Sequence, residues 1–312
     1  MAARQIILDC DPGQDDAMAI LLALASGEEI DLIGITTVAG NVPLPLTQLN
    51  ARKVCELAGR TDMPVFAGCS RPILRKLVTA EYVHGKTGLD GADLAEPTMA
   101  LQQGHAVDFI VDTLMERPAG SVTLCPIGPL TNVALAMIKQ PAIIERIDEI
   151  ILMGGGMAEG NVTPAAEFNI YVDPHAARVV FEAGVKLTML GLDVTHQALA
   201  TPARMETING IGSAVSDAVV GLLDFFNRFD RERYGMPGAP LHDPCVIAYL
   251  LRPDLFQGRD CHVAVETDSE LTMGATIVDW WGANRYQANA RVINGVDADG
   301  FFGLFTERLR RL

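Results

Sequence analysis

Four carboxylates fall within eight residues in Asp9-Cys10-Asp11-Pro12-Gly13-Gln14-Asp15-Asp16, directly after the apolar run Ile6-Ile7-Leu8. Pro12 ends the strand that this run predicts, and Gly13 permits a sharp turn. Asp15 and Asp16 then open a helix, whose positive end favours anions. Such a turn folds Asp11 and Asp16 back toward one point. Carboxylates packed at ~4 Å repel by about 4 kcal/mol per pair at an effective dielectric of ~20. The cluster must therefore take up protons or a cation. Oxygen donors select a hard ion, Ca2+ or Mg2+, over zinc. Helix capping by Asp15 or Asp16 accounts for one acid at a helix start, not for four after a buried strand.

Three further segments offer polar groups at strand ends. Pro240-Leu241-His242-Asp243-Pro244 precedes the apolar helix expected from Cys245 to Leu251. There Asp243 can add a ligand to the same ion, and His242 is a proton donor near neutral pH. Met153-Gly154-Gly155-Gly156 follows a strand and lets a ligand approach the backbone. Beyond it, Asn161, Glu167 and Asn169 carry amide and carboxylate groups suited to hydroxyls, and Phe168 can lie against a ring. Asn41 adds an amide after the strand at 31–38.

The elements that must position these groups alternate in type. Strands are expected at 5–9, 31–38, 63–67, 122–126, 149–153 and 185–190. Helices are expected at 14–26, 45–58, 107–116, 131–138 and 174–183. Repeated β-α units imply an α/β fold, a mostly parallel central sheet flanked by helices, with ligands beyond the carboxyl ends of the strands. Further on, a helix is expected at 212–229, strands at 261–266 and 276–280, and a closing helix at 299–312. Residues 68–105, 154–170 and 230–243 read as long irregular stretches, which in compact domains are often functional.

Composition narrows the partners. The 312 residues carry 24 basic and 39 acidic side chains, a net charge of −15. That balance argues against nucleic acid, which needs clustered Lys and Arg. No apolar run approaches the ~18 residues of a membrane span. Six dispersed cysteines without a CxxC pair suggest buried reduced thiols, and with no leader pattern the expected location is the cytoplasm. The segment from Ala80 to Thr87 lacks the first glycine of a P-loop, and Glu159 breaks a dinucleotide-binding pattern at Gly154–Gly156.

Taken in order, several blocks together resemble the inosine-uridine-preferring nucleoside hydrolases, most nearly their bacterial pyrimidine-preferring ribonucleoside members. They are Asp9–Asp16, Val38-Ala39-Gly40-Asn41, Gly128-Pro129-Leu130-Thr131-Asn132, Met153–Gly156, Ala166-Glu167-Phe168-Asn169, Gly191-Leu192-Asp193-Val194-Thr195 and His242-Asp243-Pro244. The resemblance implies one domain over 1–312 and cleavage of the N-glycosidic bond of ribonucleosides to ribose and free base. It implies one Ca2+, held by Asp11, Asp16, Asp243 and the main-chain carbonyl of Ile127, with Asp11 as general base toward water. Asp15 and Asn41 would hold ribose hydroxyls. Asn161, Glu167 and Asn169 would complete that grip, with Met153 packing against it and Asp243 touching the 3′-hydroxyl. His242 would protonate the departing base, with His84 and Tyr234 near it. Homotetramers are common in the family. Two positions depart from its pyrimidine-preferring members: Asp230 stands where Gln pairs with the Tyr four residues on, and Val162 where an aromatic residue occurs. A non-catalytic nucleoside or ribose binder and a Mg2+-dependent phosphohydrolase are the alternative readings. The second lacks a cationic phosphate grip among these motifs.

Overall fold

The computed structural model describes residues 3–312, apart from the side chain of Asp230, so that departure lies outside the described residues. The first two-thirds alternate as β1 (Arg4–Cys10), α1 (Gln14–Leu24), β2 (Ile30–Thr37), α2 (Leu44–Leu57), β3 (Val65–Ala67), α3 (Glu81–His84) and α4 (Ala106–Glu116). There follow β4 (Val122–Pro126), α5 (Thr131–Lys139), β5 (Ile147–Met153), α6 (Phe168–Val172), α7 (Pro174–Phe181) and β6 (Leu187–Leu190). The remainder comprises α8 (Leu192–Thr195), β7 (Leu199–Ala200), α9 (Pro202–Asn209), α10 (Ala214–Tyr234), β8 (Ala239–Pro240) and α11 (Pro244–Leu251). It closes with β9 (Phe256–Cys261), β10 (Val263–Val265), β11 (Thr276–Val278), β12 (Ala290–Val296) and α12 (Ala298–Leu309).

The main sheet has the order β3-β2-β1-β4-β5-β6-β12-β9. Every neighbouring pair is parallel except β12 with β9. Alternation along β1 assigns its side chains to the two faces. Ile6 and Leu8 join the apolar layer built with α1, α11 and α12, and Ile7 joins the layer under α4, α5 and α7. Burial on both faces explains why the strands read as unbroken apolar runs. Helix α1 is buried along its whole length, as its apolar circumference predicts.

From β1 the chain builds outward to β2 and β3, then crosses to β4 and builds the other way through β5 and β6. The first and fourth strands thus flank the point where the strand order reverses, and their carboxyl ends open into a crevice. The acidic turn after β1 and the Ile127 carbonyl after β4 both lie there.

The C-terminal part departs most from expectation. Strand β12 and most of β9 were not foreseen. The sequence of β9, Phe-Gln-Gly-Arg-Asp-Cys, is polar because it forms an edge with much of its surface in solvent. Residues 261–266 are not one strand: Cys261 ends β9, whereas β10 pairs with β11 in a separate antiparallel ribbon. Residues 230–234, expected to be irregular, continue α10. Helices α3 and α6 interrupt the other two stretches. Among the described residues no helix is long and apolar enough to cross a membrane.

Candidate active site

The acidic turn is closed by its own carboxylates. Asp16, in the first turn of α1, accepts hydrogen bonds from the backbone N–H groups of Asp11 (3.0 Å) and Gly13 (3.0 Å). These bonds fold the chain back on itself after β1. Asn41, beyond the end of β2, donates its backbone N–H to Asp11 Oδ2 (2.7 Å) and its side-chain amide to Asp16 Oδ2 (3.1 Å). Asp243 arrives from the start of α11. Carboxylate oxygens of Asp15, Asp16 and Asp243 lie within 4.8 Å of one another, and all three residues are buried. Asp11 Oδ1 is buried without a hydrogen-bond partner among the described residues.

Burial dominates the electrostatics here. It pushes Asp11 and Asp243 well above the carboxylate range, helped by neighbouring carboxylates, and it raises Asp16 to about 6. Asp9, behind the turn, rises to about 7 although it accepts hydrogen bonds from Thr36 (2.6 Å) and Asn132 (2.8 Å). A carboxyl group raised on folding costs nothing while protonated in both states. It costs progressively more stability as pH climbs from the ordinary carboxylate range through its folded pKa. The metal-free chain should therefore melt several degrees lower at pH 8 than at pH 5. Divalent cation should restore the loss at pH 8, a difference that thermal denaturation after chelation measures directly.

This donor set fits a hard divalent cation. Every candidate ligand is an oxygen, one carboxylate oxygen is orphaned, and the charges repel unless neutralised. Asp15 stands in the observed cluster and Asp11 does not, although Asn41 ties the Asp11 carboxylate to Asp16; the set that the family resemblance implies would be Asp11, Asp16, Asp243 and the Ile127 carbonyl. That carbonyl accepts from Asn169 Nδ2 (2.8 Å) and keeps a second lone pair.

Above the carboxylates lies a pocket with about 670 Å³ of empty space, part of it open to solvent. Its lining includes Asp15, Asn41, Ile127 and Met153, followed by Asn161, Glu167, Phe168 and Asn169. His84, Tyr234, His242 and Asp243 complete the residues singled out in the sequence, and Asp11 and Asp16 support the floor through Asn41. Glu167 caps α6, accepting from the N–H groups of Asn169 (2.9 Å), Gly155 (2.9 Å) and Ile170 (3.1 Å). Burial nevertheless holds it near 7. The three-glycine run thus serves partly to bring a backbone N–H to Glu167. Asn169 donates to the carbonyls of Ile127 and Met153, which leaves its Oδ1 as an acceptor. Asn161 Oδ1 accepts from Phe168 N (2.9 Å), and Tyr234 Oη donates to the Asn161 carbonyl (3.4 Å). Val162 does not line the pocket. It packs instead with Phe168, Val172 and Ala80.

His242 is held by contacts from distant segments. Its Nδ1 pairs with Thr195 Oγ1 (2.7 Å), and its ring lies 5.6 Å from that of His196. Burial, with His196 and His84 nearby, holds its pKa well below the usual imidazole value. Burial thus favours the neutral form of the side chain.

Sequence reasoning missed several participants. Thr195 ends a block quoted above, but its bond to His242 joins residues far apart in the chain. His196, Tyr82, Phe226 and Phe229 line the pocket without any local motif to mark them. Gly40 and Gly128 flank the Asp11 carboxylate so closely that a Cβ at either would fall 2.1 and 2.4 Å from its oxygens.

An acidic, oxygen-lined floor thus lies beneath amide and aromatic walls at the strand-order reversal. The comparisons with known proteins are specific. Residues 6–303 match the family model described as "Inosine-uridine preferring nucleoside hydrolase". A pyrimidine-specific ribonucleoside hydrolase of Shewanella baltica is 47% identical over 308 residues, covering 98% of this chain and 96% of that protein. An uncharacterized protein of Schizosaccharomyces pombe is 48% identical over 309 residues, covering 99% of both chains. Two solved structures, a plant nucleoside hydrolase and a purine-preferring ribonucleoside hydrolase from Gardnerella vaginalis, superpose with a TM-score of 0.91. They share 33% and 32% identity and cover 98% of each chain. The chain belongs to the inosine-uridine preferring nucleoside hydrolase family, and it is a ribonucleoside hydrolase.

Proposed function

We propose that the protein is a Ca2+-dependent hydrolase that cleaves the N-glycosidic bond of inosine, uridine or cytidine in nucleoside catabolism. The observation that carries this is the convergence of Asp11, Asp15, Asp16 and Asp243 beneath a pocket whose walls offer amides and aromatic rings. When bound, Ca2+ supplies a hard positive charge that neutralises the cluster and acidifies water. Asp11 accepts a proton from the attacking water through its carboxylate. Asp15, Asn41 and Asp243 take the ribose hydroxyls on one side, and Asn161, Glu167 and Asn169 take them on the other, with Met153 against the ring. The negative floor stabilises the oxocarbenium-like charge that develops on the sugar.

His242 faces the departing base as a neutral imidazole. Negative charge growing on that base raises the affinity of His242 for a proton, which the ring takes from solvent and passes to the base nitrogen as the glycosidic bond breaks. Tyr234 and His84 border the same region. His242→Ala should slow inosine far more than an activated nitrophenyl riboside, whose leaving group departs unaided. Equal losses on both substrates would remove His242 as the acid.

The amide and carboxylate lining suits a neutral ribose better than a phosphate ester, which disfavours the Mg2+ phosphohydrolase. Buried, unpaired cysteines at all six positions support a reducing, cytoplasmic setting. Assembly as a homotetramer is the expectation that family resemblance carries, and light scattering tests it. The deciding experiment measures ribose release from inosine, uridine, cytidine and adenosine in phosphate-free buffer, with calcium quantified on the same sample. Ribose with about one calcium per chain supports the proposal, and the rate ratios give the base preference. Bound calcium without ribose from any of them would favour the silent binder.

A further inference from the structure

Gln14 sits in the acidic turn but is fully buried, and the chemistry described above gives it no part. Its side-chain nitrogen lies 2.9 Å from the carbonyl oxygen of His84 and 3.0 Å from that of Asp90. Carbonyl oxygens only accept, so both contacts require the amide NH2. The other end, Oε1, then faces His84 Nδ1 at 2.7 Å. An amide oxygen also only accepts, so the proton on His84 must sit on Nδ1. His84 stacks on Phe226, with ring centroids 5.3 Å apart, which holds the ring plane. Its Nε2 has no partner among the described residues, and the side chain lines the pocket.

We infer that Gln14 is a positioning residue that fixes the tautomer of His84, so that Nε2 presents a lone pair to the pocket and accepts from an N–H or O–H of the ligand. The inference rests on the nucleoside hydrolase reading for the identity of that ligand, but the tautomer rests on the hydrogen bonds alone. Burial lowers His84 to about 3, so it stays neutral and acts as an acceptor rather than as the acid. The turn is shaped for this contact: a Cβ at Gly13 would lie 2.3 Å from His84 Nδ1. Asn50 reinforces the arrangement by bridging the carbonyls of Pro12 (2.9 Å) and Thr87 (2.7 Å), which ties the segment after α3 to the same turn.

The test is nitrogen NMR on protein labelled at histidine, with His84 assigned by substitution. Wild type should show the proton on Nδ1 and a bare Nε2. Gln14→Leu removes the acceptor and should release the proton to Nε2, raising KM for uridine about tenfold with a smaller change in kcat. Gln14→Glu, protonated in this buried turn, keeps an acceptor for Nδ1 and a donor to one of the two carbonyls, and should retain the wild-type tautomer. A proton on Nε2 in the wild type would overturn the inference. So would a folded Gln14→Leu variant with unchanged tautomer and KM. Replacing uridine by 3-methyluridine distinguishes the donor: a raised KM assigns it to the base N–H, and an unchanged one to a ribose hydroxyl. The NMR readout needs no turnover, so failure of hydrolysis and failure of this inference remain separate outcomes.

Discussion

Asp11→Ala will lower ribose release by about 10⁴-fold while the chain keeps its fold, because it removes both a general base and a ligand of the proposed ion. Stability should hold or rise in the metal-free protein. The deleted carboxylate is fully buried, is pushed well above its ordinary pKa by desolvation and neighbouring acids, and leaves one oxygen without a partner. Its loss removes repulsion at the cost of the hydrogen bond from Asn41 N. Calcium affinity and turnover should fall together, while circular dichroism and melting temperature do not. A folded variant with wild-type turnover would refute the role assigned to Asp11.

The second large effect comes from adding a single methyl group beside that carboxylate. A Cβ on Gly40 would stand 2.1 Å from Asp11 Oδ2 and 2.9 Å from Pro129 Cδ, far inside contact distance. The carboxylate is the part able to move, so the backbone survives and the site does not. Misplacing a reacting group by ~1 Å can cost ~10²-fold, and Gly40→Ala should reach or exceed that in kcat. Gly27→Ala is the control, since a Cβ there meets nothing within 4 Å. Normal kcat in a folded Gly40→Ala protein would show that the Asp11 carboxylate has freedom that the close packing denies it. Gly128→Ala is less clean, because its Cβ would also lie 3.1 Å from the Asp11 backbone nitrogen.

Much of this was legible because the informative residues are local. The acidic turn follows a strand within a few positions, and β1 to β6 announce themselves as apolar runs between helices. The residues of the candidate site gather at one end of the sheet, as expected from strand-end placement. What stayed hidden is what depends on distance in three dimensions. The bond from Thr195 to His242, the clamp of Gln14 on His84, and the aromatic wall from α10 join segments that no spacing rule connects. The depressed pKa of His242 depends on distant packing in the same way: a sequence does not reveal how completely a ring is removed from water. Strand β9 was missed because an edge strand can be polar and still pair, and the inner strand β12 because Arg291, Asn294 and Gly295 interrupt its apolar run.

Asp16 and Asp243 are separated by most of the chain, yet their oxygens share one small volume. Helix α11, which delivers Asp243, docks against α1, which carries Asp16. During synthesis the N-terminal acids leave the ribosome long before their last partner exists. A cation held by the full set is therefore captured only after the α11 segment has emerged and packed. On this reading a cation that needs the whole set would be bound late, after α11 has packed on α1.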